Sequence, residues 1–171
     1  HQVHRIPEFL HTAFRQAVSG RPGPVLLELP PDVLNIKADE AKIPAIKKGG
    51  TFSRTRPDPS LVVQAADLIN RAERPVILGG SGVASSGCDM EIGEFIRLTG
   101  APHALINTGR GAVSDLDPLS LWDGGLMAIV TALSQADLVI ALGVRFNWLL
   151  MFGQIFPAAK VVRVDVDPTE I

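Results

Sequence analysis

The chain has 171 residues, 46% of them hydrophobic and 20% charged, with a formal net charge of −2. That balance describes a folded globular chain able to bury its own core, and excludes a disordered one. It gives nucleic acid no basic footprint, since Lys47-Lys48 is only a solvated pair, and no segment approaches the roughly 18 continuous apolar residues of a membrane span.

Cys88 is the only cysteine, which rules out an intrachain disulfide and a cysteine-built zinc site. A reducing compartment, the cytoplasm, is the expected location. Residues 7–19 read as a helix: Pro7 suits the first turn, Leu10, Phe14, Ala17 and Val18 share a face, and Gly20 ends it. Residues 24–29 read as a short strand stopped by Pro30-Pro31. Residues 32–56 hold no sustained period and are rich in lysine and proline, with Gly49-Gly50, so they read as an interdomain linker.

Strand and helix patterns alternate from there on. Asp58 caps a helix with Pro59 in its first turn and Leu61, Ala65, Leu68, Ile69 and Ala72 on its buried stripe. A strand over 75–78 opens into Gly79-Gly80-Ser81-Gly82. A helix over 91–99 turns Ile92, Phe95 and Ile96 inward and meets Gly100 past its end. A strand over 102–106 leads to Thr108-Gly109-Arg110-Gly111. Leu126, Ile129, Val130 and Leu133 mark another helix, before strands over 138–142 and 161–166. This alternation predicts the α/β class: a three-layer α/β/α Rossmann-like domain with a mostly parallel sheet, here over 57–171. Asp167-Pro168-Thr169-Glu170 has the signature of a helix start, while the first helix and strand are too small to bury their own apolar faces. The chain thus reads as an excised central domain.

Five consecutive apolar residues, Leu138 to Leu142, have no solvent face and fit a strand covered on both sides. Ligands of open parallel sheets gather beyond the carboxyl ends of the strands, where Arg145 and Asn147 follow a turn at Gly143; an arginine there can also be an interface residue in an oligomer. Gly79, Gly80, Ser81 and Gly82 let backbone amides approach a phosphate, or form a crossover turn with no ligand. Arg110 can pair with phosphate oxygens, or be a surface arginine partnering Asp115 or Asp117. Trp148 and Phe152 suit a ring system or a partner subunit, although such aromatics are more often core. Asp165 is placed for a ribose hydroxyl; Asp167 is either a second such acid or a helix cap. No His/Cys/Asp cluster has metal spacing, no serine sits in a nucleophile elbow, and the sequence reveals no catalytic group. His103 lies inside a strand pattern and is expected to be a satisfied core histidine. The seven residues 83–89 argue against the tight glycine-to-helix turn of a nicotinamide-binding module.

Several of these segments resemble, in order, thiamine-diphosphate-dependent enzymes. Arg21-Pro22-Gly23-Pro24-Val25 with Leu29-Pro30 and Asp32-Val33 looks like the end of their pyrimidine-binding domain, so residues 1–31 would be its C-terminal remnant. Arg74 to Gly80, Gly109-Arg110-Gly111, Ala136 to Ile140 and Val164-Asp165-Val166-Asp167-Pro168 resemble their central domain. Gly143-Val144-Arg145-Phe146-Asn147-Trp148 with Phe152-Gly153 is similar to the 2-hydroxyacyl-CoA lyase and oxalyl-CoA decarboxylase group, which holds ADP or a CoA-derived nucleotide here. The ending around Asp165 is closer to acetolactate synthase, whose central domain carries FAD. Ser81 stands where the CoA group usually has lysine. The resemblance implies a parent lyase, decarboxylase or synthase using thiamine diphosphate and magnesium on C–C bonds of 2-oxo or 2-hydroxyacyl substrates, in a dimer or tetramer. Its activating glutamate and its diphosphate–magnesium motif would lie in other domains, so this fragment alone is expected to be inactive. The rival expectation is a scaffold and oligomerisation domain with a vestigial pocket.

Overall fold

The computed structural model describes residues 3–45 and 54–171; Lys47-Lys48 and Gly49-Gly50 lie outside the described residues. The chain divides into two units, His1–Thr55 and Arg56–Ile171. In the first, α1 (Ile6–Val18) has proline in its opening turn and buries none of its residues. A single turn, α2 (Pro31–Leu34), follows, with Val33 buried. The expected strand over 24–29 does not form: these residues carry no strand assignment, and Leu26 is almost fully exposed. Extended backbone becomes a strand only when a neighbour takes up its amides and carbonyls, and no strand exists among the described residues of this unit.

The second unit opens with α3 (Pro59–Arg71), where the Asp58 carboxylate accepts the Ser60 amide at 2.7 Å. Then come β1 (Pro75–Gly79), α4 (Ser81–Ser86), α5 (Asp89–Thr99), β2 (His103–Leu105), α6 (Gly125–Gln135), β3 (Leu138–Leu142) and β4 (Lys160–Val164). The four strands are parallel in the order β2-β1-β3-β4. Pleating sends alternate side chains to opposite faces. Val76, Leu78, Val139 and Ala141 meet Ile129 and Leu133 of α6. Ile77, Leu138 and Ile140 meet Ile92 and Ile96 of α5, with Leu68 and Ile69 of α3 packed alongside. Two apolar layers around an all-parallel sheet make the α/β/α sandwich that the alternation predicts.

One helix departs from expectation. The sequence places the helix after the glycine turn late, beyond residues 83–89, yet Ser81–Ser86 form α4 directly after Gly80. Its sequence, Ser-Gly-Val-Ala-Ser-Ser, buries only Val83 and is too short to display an apolar period. The glycine-to-helix turn is therefore tight, and the objection drawn from residues 83–89 does not stand.

His103 is also not as expected. The β2 edge is covered by a one-residue bridge: the His103 amide donates to Leu119 O, and the Leu121 amide donates to His103 O, both at 2.9 Å. This cover leaves the ring 1% exposed. Neither ring nitrogen has a hydrogen-bond partner, and the Asp117 carboxylate stands 3.5 Å from Nε2. The histidine is core, as read, but unsatisfied.

At the opposite rim Asp137 ties β3 to the start of β1. Its carboxylate accepts the amides of Glu73 at 2.7 Å and Arg74 at 3.0 Å. Those bonds, the Glu73 amide first, hold its carboxyl below the usual carboxylate range.

Candidate functional site

The register sets Leu105, Gly79, Leu142 and Val164 side by side, so the four strands end level at one rim. β2 lies to one side of β1, with β3 and β4 on the other. The strand order reverses between β1 and β3, the point where α/β sheets hold ligands.

The turns at this rim interlock through glycines. The Gly80 amide donates to Leu142 O at 3.0 Å, and the Gly82 amide donates to Gly143 O at 2.9 Å. A Cβ on Gly80 would stand 2.6 Å from Gly143 O and 2.7 Å from the Val144 Cα, while one on Gly109 would run into Gly80 O. The loops after β2 and β3 therefore both rest on the turn after β1. Two of the amides expected to cradle a phosphate are already bonded within the protein.

Two arginines stand beside that junction. Arg110, next to Gly109, donates from Nε to Asp115 at 2.8 Å and lays its guanidinium 4.2 Å from the centre of the Trp122 ring. Trp122 is fixed in turn by donating Nε1–H to Leu105 O at 2.8 Å. Arg145, next to Val144, places its Nε 3.0 Å from Glu170 Oε1. Glu170 Oε2 accepts from Arg163 at 3.1 Å, and Arg163 stacks 4.3 Å from the Phe146 ring centre. Both arginines are about half exposed, 52% in each case. Asp115 is thus the partner of Arg110, one of the two acids the sequence offered; Asp117 instead accepts the Leu119 amide and stands 3.5 Å from His103 Nε2.

The remaining candidates do local work. Asn147 accepts the Leu149 amide at 3.0 Å and caps the 3-10 turn Trp148–Gly153. Asp165 accepts the Asp167 amide at 3.0 Å, and Asp167 caps the turn Pro168–Glu170 through Thr169. Ser81 is exposed at the start of α4, and Gly79 packs against Leu105. Trp148 and Phe152 are exposed, not core, and Met151 and Phe152 sit at positive φ. Glu170, Trp122 and Arg163 escaped the sequence reading as site residues. Only the position of Glu170 in the capping pattern hinted at it, and that pattern assigned it to a helix start. An open groove of about 460 Å³ lies at the amino rim instead, among Glu73, Arg74, Thr99 and Gln135, where Arg74 already donates to Gln135 O.

The model of the thiamine pyrophosphate enzyme central domain matches residues 62–171. The chain belongs to this family. Among relatives of the thiamine pyrophosphate enzymes, acetolactate synthase of Mycobacterium bovis is 37% identical over 97% of this chain and 28% of its own length. Oxalyl-CoA decarboxylase of Escherichia coli is 37% identical over 95% of this chain and 29% of its own. 2-Hydroxyacyl-CoA lyase 1 of Dictyostelium discoideum is 32% identical over 99% and 30%. The chain therefore spans less than a third of these relatives. A thiamin diphosphate-dependent enzyme structure from Mycobacterium smegmatis superposes with a TM-score of 0.62 at 23% identity, over 98% of this chain and 30% of that one, which supports the fold.

The family is that of thiamine pyrophosphate enzymes. Among the described residues no set of three His, Cys, Asp or Glu side chains is placed to hold a metal ion. No described helix is long and apolar enough to cross a membrane.

Proposed function

We propose that this chain is the central domain of a cytoplasmic thiamine-diphosphate-dependent lyase, decarboxylase or synthase, and that it holds a nucleotide at the carboxyl rim of β1, β2 and β3. ADP, a CoA-derived nucleotide and FAD are the ligands considered. The supporting observation is the placement of Arg110 and Arg145 on the two loops that rest on one glycine turn, at the reversal of strand order. The parent enzyme acts on C–C bonds of 2-oxo or 2-hydroxyacyl substrates, using thiamine diphosphate and magnesium bound by its other domains in a dimer or tetramer. In this reading residues 1–31 are the remnant of the pyrimidine-binding domain, 32–56 the linker and 57–171 the nucleotide-binding-like domain.

A scaffold role is the second reading. It draws support from Trp148, Met151 and Phe152, large exposed apolar groups on the loop after β3 that suit a subunit contact. Calorimetric titration of the folded chain separates the two. Saturable heat with ADP, CoA or FAD is expected from the nucleotide reading, and no heat with any of them leaves only the scaffold.

A further inference from the structure

We propose that Asp115 and Glu170 are positioning residues that set Arg110 and Arg145 as a two-pronged clamp for a ligand's diphosphate. This rests on the nucleotide reading and deepens it, because ADP, CoA and FAD differ in almost everything except that they all carry a diphosphate.

The two arginines come from different loops, and each meets a carboxylate at Nε, Arg110 through a hydrogen bond to Asp115 and Arg145 through an ion pair with Glu170. In both cases the contact runs through Nε, at 2.8 Å for Arg110 and 3.0 Å for Arg145. A guanidinium tethered through Nε retains its Nη edge, a planar pair of donors matched to two phosphoryl oxygens. Each tether has a second support. The Arg110 plane lies against Trp122, itself bonded to Leu105 O, and Glu170 is held from its far side by Arg163.

Exposed arginine side chains lose rotamer freedom when they grip a ligand, and holding them beforehand removes part of that cost. The amides of Gly80 and Gly82 cannot take over, being bonded to Leu142 O at the end of β3 and to Gly143 O just past it. The loops that carry the arginines meet at Gly80, through Val144 on one and Gly109 on the other, and we assign one guanidinium to each phosphoryl group. A single phosphate would engage one prong.

Calorimetry on the 171-residue chain with ADP, AMP and adenosine tests this. ADP is expected to bind on the order of tenfold tighter than AMP, and D115A and E170A each to weaken ADP about tenfold, by loss of preorganisation. Either variant brings ADP close to AMP, adenosine stays unchanged, and D115E restores part of the loss. Should E170A fail to fold, R145K, which keeps the charge and gives up the Nε tether, takes its place. Folded variants that bind ADP like the wild type overturn the positioning role while leaving the nucleotide site intact. Equal losses for ADP and adenosine overturn it as well, since they would report a general disturbance. A wild-type chain that binds none of the three overturns this proposal together with the nucleotide reading.

Discussion

Gly143→Val is expected to cost on the order of 3 kcal/mol of folding stability, from overpacking together with a disfavoured backbone conformation. Gly143 has φ +52°, a left-handed conformation that a β-branched residue resists, and its missing Cβ would sit 2.5 Å from the Cα of Gly82. What it would strike is backbone, so no side-chain rotation relieves the clash. The β3 loop would have to lift from the β1 turn, breaking the Gly82 bond to Gly143 O and moving Arg145. Urea unfolding reads the loss. Gly87→Ala supplies the comparison, since Gly87 has φ +61° with nothing within 4 Å of its would-be Cβ, and it should show only the backbone cost of about 1–2 kcal/mol. Equal losses at the two positions would contradict the interlocked junction.

The second large effect is a pH dependence carried by His103. Burial of the ring pushes its pKa down, against the partial opposition of Asp117 and Asp115. The folded protein therefore favours the neutral imidazole more than the unfolded chain does. The stability this contributes is intact above the unfolded value and is lost as pH falls toward the folded one. The thermal midpoint should drop between about pH 8 and about pH 5, while His103→Leu should flatten that part of the profile. Asp137 acts in a separate window. Its carboxyl is held low by the Glu73 and Arg74 amides, so its contribution persists through this range and disappears only on further acidification. A wild-type profile that is flat over the upper range, or one shared by the leucine variant, would refute the assignment to His103.

Much of the architecture was legible because burial leaves a mark on sequence. The uninterrupted Leu138 to Leu142 run fits a strand covered on both faces, and it lies between β1 and β4 with apolar layers above and below. Asp58-Pro59 announced α3 because capping is a local interaction. Residues 24–29 carried the composition of a strand, but strand formation depends on a distant partner, which composition does not reveal. α4 was illegible because six small residues burying one valine show no period. At the rim, the sequence located Arg110 and Arg145 and offered Asp115 as a partner. It did not show that the Gly80 and Gly82 amides are spoken for, since that depends on the β3 loop folding back some sixty residues later in the chain. Glu170 reaches Arg145 from beyond β4, and such a pairing follows from strand order, not from local sequence.

The most direct measurement of the central claim is an amide-resolved NMR titration of the 15N-labelled chain with ADP. The account predicts saturable shifts concentrated at Ser81, at Arg110 and its neighbours, and from Gly143 to Asn147, with the amides of Arg74, Thr99 and Gln135 unmoved. Shifts that gather instead around the amino-rim groove, or that stay at baseline throughout, would contradict it.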